Sequence, residues 1–190
     1  MSQAHVHSRI DEADYLNREE TATGKHELVD GEIFAIAGAS ERHNHIALNI
    51  AFHLRSATRG KTCRAFMADM KLRLASGSTY YYPDAMLVCD PADDHPIYKQ
   101  SPSLIAEVLS PAAASIDVRE KSAAYRGLAG LRYYLLADSE LWAKVCFRDE
   151  HSAWFEQELS PEDRLDVACG DARLALSLDG LYEDTGLLVV

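Results

Sequence analysis

The pattern of apolar and polar positions predicts several short strands and a few helices. Asp30-Gly31 lies between two short apolar runs, which is typical of a two-residue β-hairpin turn. After Ser40, a suitable N-cap, apolar residues recur at helical spacing and predict a helix over about 41–58 that Gly60 ends. Residues 11–20 are rich in charge and indicate a short first helix.

The middle and the C-terminal part of the chain read mostly as strands. Residues 63–74 alternate between apolar and polar and predict one strand, whereas 103–110 are almost all apolar, as in a strand covered on both faces. A helix is predicted over about 117–128. The other predicted strands span 84–90, 132–137, 142–148, 153–159 and 172–178. This order predicts an α/β (α+β) fold with a central mixed β-sheet flanked by helices.

The length of 190 residues predicts a single domain over 1–190. The net charge of −11 disfavours a protein that coats phosphate backbones, but the charge is uneven. Residues 149–190, an acidic C-terminal part of the same domain, hold 11 acidic and 2 basic side chains. Residues 55–73 hold six basic side chains and one acidic one, which makes either a phosphate-facing patch or a solvated face.

The chain shows no signal for a membrane or for secretion. No run approaches the roughly 18 apolar residues of a membrane span, and the polar N-terminus lacks the apolar core of a signal peptide. We therefore expect a cytoplasmic protein without a membrane partner. Its four cysteines form no Cys-x-x-Cys pair and are expected to be reduced, half-buried thiols. They are Cys63, Cys89, Cys146 and Cys169.

Glu107 is a carboxylate in the centre of an apolar strand. Burying a bare carboxylate costs several kcal/mol unless a cation or hydrogen bonds compensate. A metal site would provide that compensation, and so would an arginine paired with a carboxylate near the end of the strand.

Asp84 follows Pro83 and opens the preceding apolar strand. A Pro-Asp pair also suits an ordinary turn. Two neighbouring strands joined by a loop, however, would bring Asp84 and Glu107 to one side of the sheet. Paired carboxylates there would suit a hard divalent cation.

Lys121 lies on the apolar stripe of the helix that follows, between Val118 and Tyr125. A lysine that points towards a core either extends to solvent or finds anions. A surface ion pair with Asp117, four residues earlier, is the alternative. Two carboxylates and an ammonium together match what phosphodiester hydrolysis requires, which is a metal and stabilisation of charge on the attacking and leaving oxygens.

At these residues the chain resembles the Uma2 family, a bacterial branch of the PD-(D/E)xK nuclease superfamily with the restriction-endonuclease-like fold. The resemblance rests on an ordered set of short segments along most of the chain. They are Lys25-His-Glu-Leu-Val-Asp-Gly-Glu-Ile, Ala37-Gly-Ala-Ser-Glu-Arg-His-Asn, Asp69-Met-Lys, Tyr82-Pro-Asp84, Glu107-Val-Leu-Ser-Pro111 and Glu120-Lys121-x-x-x-Tyr125-Arg126.

The resemblance implies roles for individual residues. Pro83-Asp84 matches the PD element and Glu107 the acidic half of the (D/E)xK element, but Leu109 stands where that element has Lys. Lys121, from the next helix, is implied as the migrated replacement. Glu27 resembles an additional early acidic residue of the superfamily, although an exposed hairpin Glu would look the same.

The implied activity is that of a Mg²⁺-dependent endonuclease acting on DNA. Asp84, Glu107 and the carbonyl of Val108 would hold Mg²⁺, for which Mn²⁺ is expected to substitute, while Lys121 steers the attacking water. Superfamily enzymes that cut both strands often work as homodimers, which implies a second copy as partner. The alternatives are a non-catalytic binding or assembly module on the same fold and a metal-dependent hydrolase of a smaller phosphoester.

His43 lies in the first turn of the helix predicted to begin after Ser40. It could face the site from there, but a surface or capping role is the expectation we favour. Tyr80, Tyr81 and Tyr82 could stack on bases, yet a tyrosine run entering a strand more often packs at a sheet edge.

Overall fold

The computed structural model describes residues 9–74, 77–110 and 115–188, with side chains left out over 115–118. Its helices are α1 (Glu12–Thr21), α2 (Glu41–Ala57), α3 (Ser115–Arg126) and α4 (Leu178–Leu181). Its strands are β1 (His26–Val29), β2 (Glu32–Ala35), β3 (Arg64–Met67), β4 (Lys71–Arg73), β5 (Tyr80–Tyr81), β6 (Ala85–Val88), β7 (Tyr98–Lys99), β8 (Pro102–Leu109), β9 (Tyr133–Asp138), β10 (Ala143–Arg148), β11 (Trp154–Glu158), β12 (Leu165–Cys169) and β13 (Ala172–Leu176).

The strands form two large sheets and a separate hairpin. The six-stranded sheet has the order β11-β10-β9-β8-β6-β3, and it is mixed because β8 and β9 run parallel while its other neighbours run antiparallel. The five-stranded sheet has the order β2-β1-β5-β4-β7, and β12 pairs with β13. The predicted fold class of a mixed sheet flanked by helices is confirmed, although the chain builds a second large sheet that the sequence pattern did not predict.

The hairpin between β1 and β2 is confirmed at Asp30-Gly31. Both residues have positive φ, 49° and 86°, as a tight two-residue hairpin turn requires. A glycine at position 31 meets this requirement without steric cost. The register pairs Glu27 with Phe34 and so fixes the position of Glu27 within β1.

Helix α2 begins at the predicted N-cap. The Ser40 hydroxyl accepts a hydrogen bond from the backbone N–H of His43 at 3.2 Å. Ile46, Ile50 and Leu54 form the buried stripe of the helix and belong to the larger of the cores. The first turn of α2 thereby places His43 over the sheet.

The predicted strand over 63–74 is wrong as a single element. It divides into β3, in the six-stranded sheet, and β4, in the five-stranded sheet. Ala68, between them, has φ of 35° and donates its N–H to the Asp84 carbonyl at 3.1 Å. The turn therefore carries the chain from one sheet to the other beside Asp84.

The larger core lies between α2, one face of the six-stranded sheet and the C-terminal elements. The acidic part over 149–190 contributes buried side chains to this core through β12, β13 and α4. A second core, under α3, includes Tyr81 and Tyr125. The tyrosine run over 80–82 is buried, and β5 lies in the middle of its sheet rather than at an edge.

The cysteines differ from expectation. Cys63 and Cys89 flank the paired residues Arg64 and Val88 of two antiparallel strands, so they face each other and form a disulfide. Cys146 and Cys169 are free and buried. Within the described residues, no helix is long and apolar enough to cross a bilayer.

Candidate active site

Asp84 and Glu107 lie side by side on neighbouring strands. The antiparallel register of β6 and β8 pairs Ala85 with Ala106, so the residue before the first and the residue after the second are opposite each other. An Asp84 carboxylate oxygen accepts the Val108 backbone N–H at 2.7 Å. The structure thus brings together the two carboxylates that the sequence singled out.

Glu107 is buried, with 8% of its surface exposed. The Tyr125 hydroxyl donates a hydrogen bond to it at 2.6 Å. Burial raises the pKa of Glu107 to about 7, the nearby Lys121 charge opposes this, and the Asp84 and Glu27 charges add to it. Glu107 is therefore a carboxylate that would gain from a further cation.

Lys121 reaches the site from α3. Its ammonium donates a hydrogen bond to a Glu27 carboxylate oxygen at 2.8 Å and lies 5.3 Å from the centre of the Tyr81 ring. Both partners of this ion pair are largely buried, with side-chain exposures of 15% and 12%. The same Glu27 oxygen accepts the Tyr82 N–H at 3.4 Å. Glu27, which could have been an exposed hairpin residue, is part of the cluster.

His43 faces the site, which corrects the expected surface or capping role. Its Nε2 lies 3.0 Å from a carboxylate oxygen of Asp84, and its side chain is 16% exposed. The hydrogen bond with Asp84 raises the pKa of His43 above its ordinary value, against the opposing effect of burial. Since a carboxylate only accepts, Nε2 carries the proton in this contact.

The cluster holds more negative than positive charge when its groups are ionised. It contains the three carboxylates of Asp84, Glu107 and Glu27 and the Lys121 ammonium, and His43 adds at most one further positive charge. Carboxylate oxygens are the ligands that Mg²⁺ and Mn²⁺ prefer. Asp84 and Glu107 therefore suit such a metal, although the described residues include no ready-made group of three His, Cys, Asp or Glu ligands.

The basic stretch over 55–73 does not gather around this cluster. Arg55 lies 12 residues after His43 on α2, a distance of about 18 Å along the helix axis. Arg73 forms an ion pair with Glu12, and Arg64 donates to the Asp93 carbonyl. Lys71 lies beside a residue that contacts the cluster, since its ammonium sits over the ring of Tyr82, whose N–H contacts Glu27.

Some of the sequence-based reasoning concerns residues beyond the described part of the chain. These are Pro111 and the side chains of Asp117 and Val118.

Sequence reasoning also missed functional neighbours. Tyr125 had a usable signal, because it lies one helical turn after Lys121 on the same apolar stripe.

The fold is also that of a solved protein. A crystal structure of a "putative nuclease belonging to DUF820" from Anabaena variabilis ATCC 29413 superposes with a TM-score of 0.70, covering 91% of this chain and 97% of that one at 16% sequence identity. This likeness confirms the predicted fold class, a central mixed β-sheet flanked by helices.

Within that class, the Uma2 family model, described as "Putative restriction endonuclease", matches residues 12–177. The chain belongs to the Uma2 family. It is also similar to two uncharacterised proteins of Synechocystis sp. (strain ATCC 27184 / PCC 6803 / Kazusa). One is 40% identical over 142 residues, which is 73% of this chain and 77% of that protein. The other is 27% identical over 176 residues, which is 92% of each.

Proposed function

We propose that this protein is a Mg²⁺-dependent endonuclease that hydrolyses phosphodiester bonds in DNA. The observation that carries the proposal is the meeting of Asp84, Glu107 and the Glu27–Lys121 ion pair at one end of two neighbouring strands. Membership of a family described as restriction endonuclease supports DNA as the substrate.

Asp84 and Glu107 would hold the metal, together with the carbonyl of Val108. When bound, Mg²⁺ supplies positive charge at the scissile phosphate and acidifies water. The protein holds both carboxylates in place, since Asp84 accepts from Val108 N and lies against His43, and Glu107 accepts from Tyr125. Such supporting hydrogen bonds fix the orientation of metal ligands.

Lys121 provides a positive charge that belongs to the protein itself, in addition to that of the metal. Glu27 and the Tyr81 ring hold its ammonium in place. Lys121 can therefore provide this charge although Leu109 stands where the superfamily pattern has Lys. An ammonium there orients the attacking water by donating a hydrogen bond to its oxygen. It also stabilises the charge that develops as water adds to phosphorus and loses a proton to solvent, while the bond to the leaving oxygen breaks and that oxygen takes up a proton.

The activity is tested on closed circular DNA. Supercoiled plasmid incubated with the protein and Mg²⁺ is expected to become nicked and linear, because an endonuclease needs no free end, and EDTA should prevent the change. Mn²⁺ should support the reaction as well. Gel electrophoresis measures the conversion.

A chromogenic phosphodiester, bis(p-nitrophenyl) phosphate, serves as the comparison substrate. Hydrolysis of this compound without any change in the plasmid would replace the endonuclease with a small-phosphoester hydrolase. Inertness towards both substrates, with either metal, would contradict the proposed activity.

Cutting both strands in a single binding event calls for two centres. Because the described residues supply one cluster of this composition, we propose that a homodimer provides the second. Sedimentation analysis with and without duplex DNA reports the oligomeric state directly.

A further inference from the structure

A cleft of about 310 Å³ lies beside the proposed centre and exposes chemistry that the mechanism above does not use. Residues 22–25, Glu19, Asp69 and Tyr82 line it. Tyr82 connects the cleft to the centre, since it lies two residues before Asp84 and donates its N–H to Glu27 at 3.4 Å.

Two lysines converge on the ring of Tyr82. The ammonium of Lys25 lies 5.7 Å and that of Lys71 5.2 Å from the ring centre. The two ammonium groups are therefore at most about 11 Å apart. The Lys25 ammonium also donates a hydrogen bond to the Ala68 carbonyl at 3.2 Å, and Ala68 donates its N–H to the Asp84 carbonyl, which links this cationic pair to the carboxylate cluster.

Within the described residues, neither lysine forms a buried ion pair. Lys25 pairs with Asp69 at 3.1 Å, but the two side chains are 41% and 91% exposed, and such pairs contribute little stability. Within the described residues, Lys71 has no ion pair within 4.0 Å. Burial lowers the pKa of Lys71, and the charges of Glu19 and Asp69 oppose that effect. A half-buried ammonium of this kind favours an incoming anion.

The buried acidic residue of the cleft, Glu19, already has hydrogen-bond partners. Glu19 accepts a hydrogen bond from the Tyr82 hydroxyl at 2.7 Å and lies 2.8 Å from Nδ1 of His26. Its side chain is 4% exposed. Burial works against its charge, but these hydrogen bonds hold the pKa of Glu19 below its ordinary value. Asp69 is therefore the exposed charge that an anion would displace.

We propose that Lys25 and Lys71 form a phosphate-binding subsite that holds the nucleic-acid backbone next to the scissile phosphate. This inference rests on the proposed function, because it assigns the substrate strand a path from the carboxylate cluster over Tyr82. The subsite reads the backbone charge and not the bases, because the ring of Tyr82 is only 8% exposed and is unavailable for stacking.

The test measures binding without cleavage. A fluorescein-labelled duplex of about 20 base pairs is titrated in EDTA with wild type, Lys25→Ala/Lys71→Ala and the control Lys61→Ala, at several salt concentrations. Each lost phosphate contact lowers the slope of log K against log salt by about 0.9. For the double variant, the magnitude of this slope should thus fall by about 1.8. If the two proteins bind equally well at 1 M salt, this change makes the double variant bind about 60-fold more weakly at 0.1 M salt.

Two further variants separate charge from structure. Lys25→Arg/Lys71→Arg keeps both charges and should retain the wild-type slope, and thermal melts check that each variant folds. Asp69→Asn removes the exposed competitor and should tighten binding, which a merely structural role for Lys25 does not predict.

The outcomes distinguish this inference from the proposed activity. An unchanged slope in the double variant, or an equal loss in Lys61→Ala, overturns the subsite and leaves plasmid cleavage unaffected. A reduced slope in a protein that does not nick plasmid supports the subsite and overturns the activity. Failure of the wild type to bind the duplex at low salt overturns the subsite as well.

Discussion

Glu107→Gln is expected to abolish Mg²⁺-dependent plasmid cleavage, and Lys121→Ala is expected to reduce it by roughly 100-fold or more. Glutamine keeps the size of Glu107 and can still accept the Tyr125 hydrogen bond, but it removes the charge that a divalent cation needs. Alanine at position 121 removes the only ammonium that the described structure places on Glu27. Initial rates of nicking measure both effects.

Matched variants show whether the effects belong to the site. Glu162 is an exposed loop carboxylate and Lys61 an exposed lysine beyond α2, so Glu162→Gln and Lys61→Ala should cleave like the wild type. Wild-type rates in both Glu107→Gln and Lys121→Ala would remove these residues from the mechanism.

Glu107→Gln is also expected to stabilise the metal-free protein at neutral and alkaline pH. The folded protein raises the pKa of Glu107 to about 7, compared with about 4.3 for an ordinary glutamate. Between these values the folded state binds more protons than the unfolded state, so the wild type loses stability as the pH rises through this window. Above it, the ionised carboxylate costs roughly 4 kcal/mol of unfolding free energy, which the neutral glutamine avoids.

Urea unfolding in EDTA at pH 4.5, 6, 7 and 8 measures this difference. The two proteins should have similar unfolding free energies at the lowest pH and should separate towards pH 8, with Glu107→Gln the more stable. If the unfolding free energies of the two proteins differ by the same amount at every pH, burial and charge do not raise the pKa of Glu107 as described.

Local signals predicted the local parts of the fold. The Asp30-Gly31 turn and the Ser40 cap depend on neighbours in sequence, and both occur where expected. The break at Ala68 does not show in the pattern, because alternation continues through 63–74 without a Gly or Pro. The two-residue strands β5 and β7 are too short to leave a periodic signal.

The sequence predicted those site residues whose charge conflicts with an apolar, buried position. Glu107 stands out in sequence because its neighbours are apolar, and Lys121 because it lies on an apolar stripe. His43 carries no such conflict, since a first-turn histidine is ordinary, and only the packing of α2 over the sheet brings it to Asp84. The disulfide between Cys63 and Cys89 likewise follows from strand register and not from their spacing of 26 residues.

The most direct test of the account is the metal itself. In crystals soaked with Mn²⁺, anomalous difference density should appear between the carboxylates of Asp84 and Glu107, and the same soak of Glu107→Gln should show none there. The absence of density at that position in the wild type, at a saturating Mn²⁺ concentration, would contradict the assignment of this cluster as a metal-dependent nuclease centre.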